Sequence, residues 1–466
     1  MWRVLTQLNL DRTSDTPLTR QLAAGLRALI TTGQLPAGER LPPTRQLAAE
    51  LGLSRGTVTE VFETLSAEGY LEGRVGAGTY VRALPGTQQP LGQASQRARL
   101  LASLEQPRGS AGPIRPLRHS RADPRLFPWR TWARLEAQTD WQPGLGASAA
   151  GWPPLREQVT AYLQRERGLA CTPEQIIITT GTQQALDLAA RTLLDHGEAA
   201  ALENPGYPGT RSALLAAGIR PLSLRVDEGG LDTDTLWRQA QARLVCVAPA
   251  HQFPIGATLS PARRLELVRW AETRGSWILE DDYDSEYRYA GPPLTPLQAS
   301  SRRVIHMGTF SAFLFSGLRL GFLVVPPELI GSFSAVKQAL DRGSSWRDSA
   351  TLARFMAEGH FARHLGRTRR IYAARHDLLA AEVQALGGQL LSTGRGLHLT
   401  AHWPQERALL PLAQRVGLDL SAVQEYTWGS RREPAPPGLL LGFAAYDAEE
   451  LRRATRQMSE LISSVD

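Results

Sequence analysis

The chain has 466 residues, of which 42% are apolar, 21% charged and 7% aromatic, and a formal net charge of +7. This ordinary globular balance excludes a mainly disordered chain and suits two or three domains. Two cysteines, Cys171 and Cys246, exclude a disulfide framework or a Cys-rich zinc site. No apolar run reaches the ~18–20 residues that span a bilayer, and no basic-then-apolar leader opens the chain, so a cytoplasmic location with no membrane association is expected.

In chain order, Leu18, Leu22, Leu26, Leu29 and Ile30 share one helix face, in a helix that stops near Gly33. A second helix is expected over Pro43–Leu51, with the proline at an early position and Gly52 at the end. A third follows the N-cap candidate Ser54 and runs to about Glu68, with Gly69 at C′ and Val58, Val61, Phe62 and Leu65 facing the core. Tyr70-Leu71, a Gly-rich turn over Arg74–Gly78 and Thr79-Tyr80-Val81 read as a two-stranded ribbon.

Helix, helix, tight turn, helix, ribbon is the order of a winged helix-turn-helix. The stretch LPPTRQLAAELGLSRGTVTEVFETLSAEGYLEGRVGAGTYV resembles the GntR-type DNA-binding domain, over residues 13–82, with Pro43 where that family carries Ser or Thr. A double-stranded DNA operator is the expected partner. The first turn of the third helix, with Ser54, Arg55, Gly56, Thr57 and Thr59, can aim short polar groups and one guanidinium at base edges and phosphates. Arg45 can hold a phosphate at the start of the second helix, and Arg74 with Gly76 and Gly78 forms a wing that can reach the backbone or minor groove.

Residues 83–114, rich in Gln, Pro, Gly, Ser and Ala, read as a flexible linker with a short helical stretch. Residues 84–118 carry five arginines against Glu105, whereas residues 1–83 carry nine arginines against eight acids. The basic excess therefore sits in the linker.

From residue 115 to 466 apolar runs alternate with helical stretches. Ile176-Ile177-Ile178, Val245-Cys246-Val247, Trp277-Ile278-Leu279, Val304-Ile305 and Phe322–Val325 are candidate buried strands, separated by helices such as Gln183–Leu194 and Pro261–Arg274. This pattern predicts a mainly parallel α/β sheet, followed by a small C-terminal α+β lobe over the last hundred residues.

Six segments carry a second resemblance: GWPPLREQVTAYLQRERGL, IIITTGTQQALDLAARTLLDHG, ENPGYPG, APAHQFPIG, ILEDDYDSEYRY and MGTFSAFLFSGLRLGF. They are similar to fold-type I pyridoxal 5′-phosphate enzymes of the class I/II aminotransferase group. Joined to a GntR-type head, the whole chain resembles the MocR/GabR family of bacterial transcription regulators. The resemblance implies a homodimer with heads exchanged between subunits, a small-molecule effector, and a pyridoxal-phosphate site. In that site Gly181, Thr182 and Gln183 cradle the phosphate at a helix start, with Thr309, Ser311 and Arg319 helping. Asp281 pairs with the ring nitrogen, Tyr283 donates to the phenolic oxygen, and Tyr207 packs on the ring.

The match fails at one decisive position. The family's GTFSK reads Gly308-Thr309-Phe310-Ser311-Ala312, so the lysine that forms the Schiff base is replaced by Ala312. Lys337 is the only lysine in the chain, 25 residues on, and arginine cannot stand in because its guanidinium stays protonated. Ser316 replaces a usual proline, and Leu440 aligns with the arginine that binds a substrate carboxylate, although Arg431 or Arg432 could reach in. The expected function is thus a DNA-binding regulator that senses the cofactor or a related metabolite without covalent attachment and is not an enzyme; no catalytic residue and no metal site are assigned. The alternatives are a constitutive DNA-binding dimer with a relic domain and, against Ala312, an active aminotransferase.

Overall fold

The computed structural model describes residues 5, 8, 10–74, 76–83, 94–104, 115–139, 148–291, 293–392, 394–429 and 436–465. They fall into two compact units, Met1–Ala94 and Ser95–Asp466.

In the first unit, helices α1 (Leu18–Thr31), α2 (Thr44–Leu51) and α3 (Arg55–Ala67) precede the ribbon of β1 (Leu71–Arg74) and β2 (Gly78–Val81). The strands pair antiparallel, Leu71 opposite Val81 and Arg74 opposite Gly78. Leu22, Leu26, Ile30, Val58, Val61, Phe62 and Leu65 are buried together, as their helical spacing requires. Two boundaries differ from expectation. Pro43 is the N-cap of α2, because its ψ of 141° is extended and the helix begins one residue later. Leu5 is fully buried in the same core, with Leu8 and Leu10 packed against it, so this unit's core takes in residues ahead of position 13.

The second unit is built on an eight-stranded sheet. Its strands are β3 (Ile176–Thr179), β4 (Ala199–Asn204), β5 (Arg220–Asp227), β6 (Gly230–Leu231), β7 (Ala242–Val247), β8 (Trp277–Asp282), β9 (Val304–Thr309) and β10 (Gly321–Val324). They lie in the order β3-β10-β9-β8-β7-β4-β5-β6. Pairing is parallel from β5 through β4, β7 and β8 to β9, and antiparallel at β10, β3 and β6. Helix α4 (Thr182–Leu193) buries Ala185, Leu186, Leu188, Ala189 and Ala190. β4 and β5 were not foreseen. Ala199-Ala200-Ala201 has weak strand propensity, so burial between neighbours makes β4 a strand, whereas β5 opens with Arg220-Pro221 but then alternates Leu222, Leu224 and Val226 with polar residues, as a half-buried strand does.

A four-stranded sheet of β11 (Gln389–Leu390), β12 (His398–His402), β13 (Ser421–Ala422) and β14 (Leu439–Gly442), in the order β11-β12-β14-β13, joins helices such as His360–Ala385 and Ala448–Ser463 in the C-terminal lobe. The helical stretch foreseen in the linker is Gln96–Ala102, and it belongs to the second unit, where Arg97 donates to the Ala216 carbonyl. The remaining linker residues 84–93 and 105–114, and Arg431 and Arg432, lie outside the described residues. Among the described residues no helix is long and apolar enough to cross a membrane, and no group of three or more His, Cys, Asp or Glu is placed to hold a metal.

Candidate functional site

The first unit presents the start of α3 to solvent. Ser54 caps the helix: its Oγ accepts from the Thr57 N–H at 3.0 Å and lies 2.8 Å from Thr57 Oγ1. Thr59 Oγ1 donates to the Arg55 carbonyl at 2.9 Å. These hydroxyls stiffen the first turn, while Arg55 and Gly56 are exposed at its tip. Arg45 is exposed on the first turn of α2. On the wing, Gly76 and Gly78 hold φ of 74° and 109°, and the Arg40 guanidinium packs 3.0 Å from where a Gly78 side chain would begin. Arg74 is less available than its position suggests, since Glu72 accepts from it at 2.6 Å and its guanidinium sits over the Tyr80 ring. The sequence reading passed over Arg40, which pairs across the wing with Tyr80.

The second unit holds a cavity of about 670 Å³, into which Thr182, Gln183, Tyr207, Asp281, Tyr283, Thr309, Ser311, Ala312 and Arg319 all project or border. These residues come from strand ends and the loops after them, the usual place for ligands in open α/β sheets. Gly181 is the N-cap of α4 with φ 96°, and a side chain there would begin 3.2 Å from the Arg319 guanidinium. That close approach sets a cation beside the free N–H groups of a helix start. Ser311 N–H donates to Thr309 Oγ1 at 3.2 Å, while Ser311 Oγ is buried with no hydrogen-bond partner. Gln183 spends its side-chain amide on the Gly209 carbonyl at 3.0 Å, which leaves its backbone for a ligand.

Asp281 lies near the end of β8. Burial, and then the neighbouring Asp282 and Asp284 carboxyls, push its pKa up to about 7; a cationic ring nitrogen beside it would favour the ionised form. His251 Nδ1 lies 2.8 Å from Asp284 Oδ2 and 3.1 Å from Tyr283 Oη. In the tautomer with its hydrogen on Nδ1, His251 donates to Asp284 and the Tyr283 hydrogen is left for a ligand. Tyr207 is 42% exposed, which puts it at the mouth. Ala312 contributes only a methyl group to the wall.

Several cavity residues escaped the sequence reading: His119, Ser120, Arg121, Glu203, Cys246 and Tyr426. An acid closing the apolar run Ala199–Leu202 was a usable signal for Glu203, which accepts from the Ala248 N–H at 3.3 Å and is pushed up to about 8 by burial. His119 and Tyr426 meet at 2.8 Å across 307 residues, and no local pattern announces that. Lys337 does not border the cavity. It is fully buried, with its Nζ 2.7 Å from Asp341 Oδ2. Leu440 lies in the core beside Phe253 and Tyr426.

Two families match the chain: "Bacterial regulatory proteins, gntR family" over residues 18–81, and "Aminotransferase class I and II" over residues 146–457. The chain is 38% identical to a probable rhizopine catabolism regulatory protein, MocR, of Rhizobium meliloti, over 97% of this chain and 95% of that protein. It is 31% identical to the pyridoxine biosynthesis transcriptional regulator PdxR of Corynebacterium glutamicum, over 96% of each. Among solved structures it is similar to an α-aminoadipate aminotransferase, LysN, of Thermus thermophilus, complexed with N-(5′-phosphopyridoxyl)-L-leucine. There the TM-score is 0.67 at 25% identity, covering 80% of this chain and 95% of that one.

Proposed function

This chain belongs to the MocR/GabR-type family of bacterial transcription regulators, in which a GntR-type head precedes an aminotransferase-like domain, and from that premise we propose that it senses pyridoxal 5′-phosphate or a related small metabolite without covalent attachment. The observation that carries this reading is a kept cradle beside a lost amine: Thr182, Ser311 and Arg319 border the same cavity as Ala312.

The residues fit the group. Phosphate oxygens would satisfy the orphaned Ser311 Oγ and the Arg319 guanidinium, with the first N–H groups of α4 behind them. Asp281 would face the ring nitrogen, Tyr283 would donate to the phenolic oxygen, and Tyr207 would close the mouth over the ring. When bound, the group supplies an electron-poor ring and an aldehyde open to amines. The chain's own residues grip and orient it, but position 312 offers no amine to bond to it or to carry a proton. We therefore read the domain as a sensor and not an enzyme, working as a cytoplasmic homodimer. The ligand would shift an equilibrium between arrangements of the DNA-binding heads.

The test is equilibrium binding of pyridoxal 5′-phosphate to the purified chain, beside an Ala312→Lys variant, followed by operator affinity with and without ligand. Expected is saturable binding by the wild type with no absorption band of a covalent adduct, gain of that band in the variant, and a several-fold change in operator affinity. Binding by the variant alone would reduce the large domain to a platform for dimerisation.

A further inference from the structure

The segment after β8 meets the segment that leads into β12, and the residues placed opposite each other are Arg288 and Arg395. The Tyr289 N–H donates to the Gly394 carbonyl and the Gly396 N–H to the Tyr287 carbonyl, both at 2.8 Å. These two bonds flank the arginines, which makes them a non-hydrogen-bonded antiparallel pair. In such a pair both side chains leave on one face, with Cβ atoms about 4.5–5.5 Å apart, and like charges repel.

Both arginines border a small indentation of about 10 Å³, together with Asp284, Ser285 and Tyr287. It shares no residue with the large cavity. Arg288, Arg395 and Ser285 are half-buried. Arg288 Nε and Ser285 Oγ are buried atoms with no hydrogen-bond partner among the described residues, and both can donate. Arg395 donates to the Ala250 carbonyl at 3.4 Å, and burial, then the facing Arg288, lowers its pKa. Among the described residues that border the indentation, Asp284 is the only acid, and His251 Nδ1 engages it at 2.8 Å. One carboxylate thus stands against two guanidinium groups. Buried donors without an acceptor cost free energy, and so does the repulsion of the pair; one anion relieves both. A water would serve the two donors and leave the repulsion in place. Space of roughly 10–15 Å³ holds one water-sized particle, so a phosphate or a carboxylate-bearing metabolite does not fit.

We propose that Arg288, Arg395 and Ser285 form a binding site for a single halide ion, with chloride as its occupant. The site is separate from the large cavity and stands whatever that cavity takes. The ion holds the crossing of the two segments together by lying between charges that would otherwise push it apart.

The experiment melts the full chain in sodium gluconate and in sodium chloride at one ionic strength, gluconate being too bulky for the site. Chloride should raise the melting temperature saturably, by about 2 °C or more once it exceeds its dissociation constant about tenfold. Arg288→Gln should lose that response and melt no lower than wild type in gluconate, because the repulsion is gone. Arg395→Gln, which removes the other half of the pair, should do the same. Arg319→Gln should keep the response, which separates this site from any anion held in the large cavity. In crystals exchanged into bromide, an anomalous peak should stand beside Arg288. Equal melting of wild type in the two salts overturns the site. So does a response that survives both Arg288→Gln and Arg395→Gln, or a bromide peak with no response in solution.

Discussion

In the N-terminal unit Arg45 and Arg55 stand exposed at helix starts, their guanidinium groups making no hydrogen bond or ion pair to a described residue. In the larger unit several arginines are tied down by carboxylates: Arg118 to Asp419, Arg125 and Arg375 to Asp123, and Arg167 to Asp282. Only Arg121 and Arg319 border the cavity without such a partner among the described residues. The head turns charge outward, where a polyanion can collect it at little folding cost. In the large unit Arg118, Arg167 and Arg375 are buried and each is neutralised by a carboxylate, as a desolvated charge requires.

The largest effect should come from the inward side. Glu203 keeps its proton up to about pH 8 in the folded chain, against an ordinary 4.5. Between those values the unfolded chain has released a proton that the folded chain retains, so stability falls as pH rises through that window. Melting curves should show the wild type losing stability from pH 5 to 8. Glu203→Gln should flatten part of that slope and raise the melting temperature at pH 8 by roughly 5 °C, with little change at pH 5. A variant that tracks the wild type at both pH values would show that the buried acid costs nothing.

Arg319→Ala should weaken pyridoxal 5′-phosphate binding by about 2–3 kcal/mol, the scale of a charge-assisted contact, and leave operator affinity without ligand unchanged. Arg55→Ala should do the converse, costing about 1–3 kcal/mol in operator binding by mobility shift and nothing in ligand titration. Loss of both functions in either variant would break the division of labour between the units.

The two units also differ in how far they can be read from their residues. The head is a local structure: one stretch of about seventy residues contains its periodic helices, its Ser54 cap, its Gly52 turn and its wing glycines, so each element and each candidate contact can be placed by spacing alone. Part of the cavity lining was legible through the aminotransferase resemblance: Thr182, Gln183, Thr309, Ser311 and Arg319, named from short motifs at strand ends, do border the cavity. The rest was not. His119, Arg121 and Tyr426 converge only through the tertiary fold, and the alanine run of β4 lacks the composition of a strand. Arg74 shows the limit at finer scale: its place on the wing was legible, its engagement by Glu72 was not.

The smallest effects test the head. Ser54→Ala removes a cap and should cost about 1 kcal/mol of head stability, seen in denaturant unfolding. Arg74→Ala should change operator affinity by less than about 0.5 kcal/mol, because an exposed ion pair already shares that charge. A larger loss would mean that DNA pulls Arg74 away from Glu72.

The burial of Lys337 has a practical consequence for chemistry done on the intact protein. The chain's only ε-amine is locked against Asp341 inside the fold, so the folded surface carries positive charge without a single primary side-chain amine. An aldehyde that condenses indiscriminately with lysines on ordinary proteins finds none here. Amine-directed acylating labels should therefore find an α-amino group but no ε-amine on the folded protein, and Lys337 should become reactive only when the large unit opens.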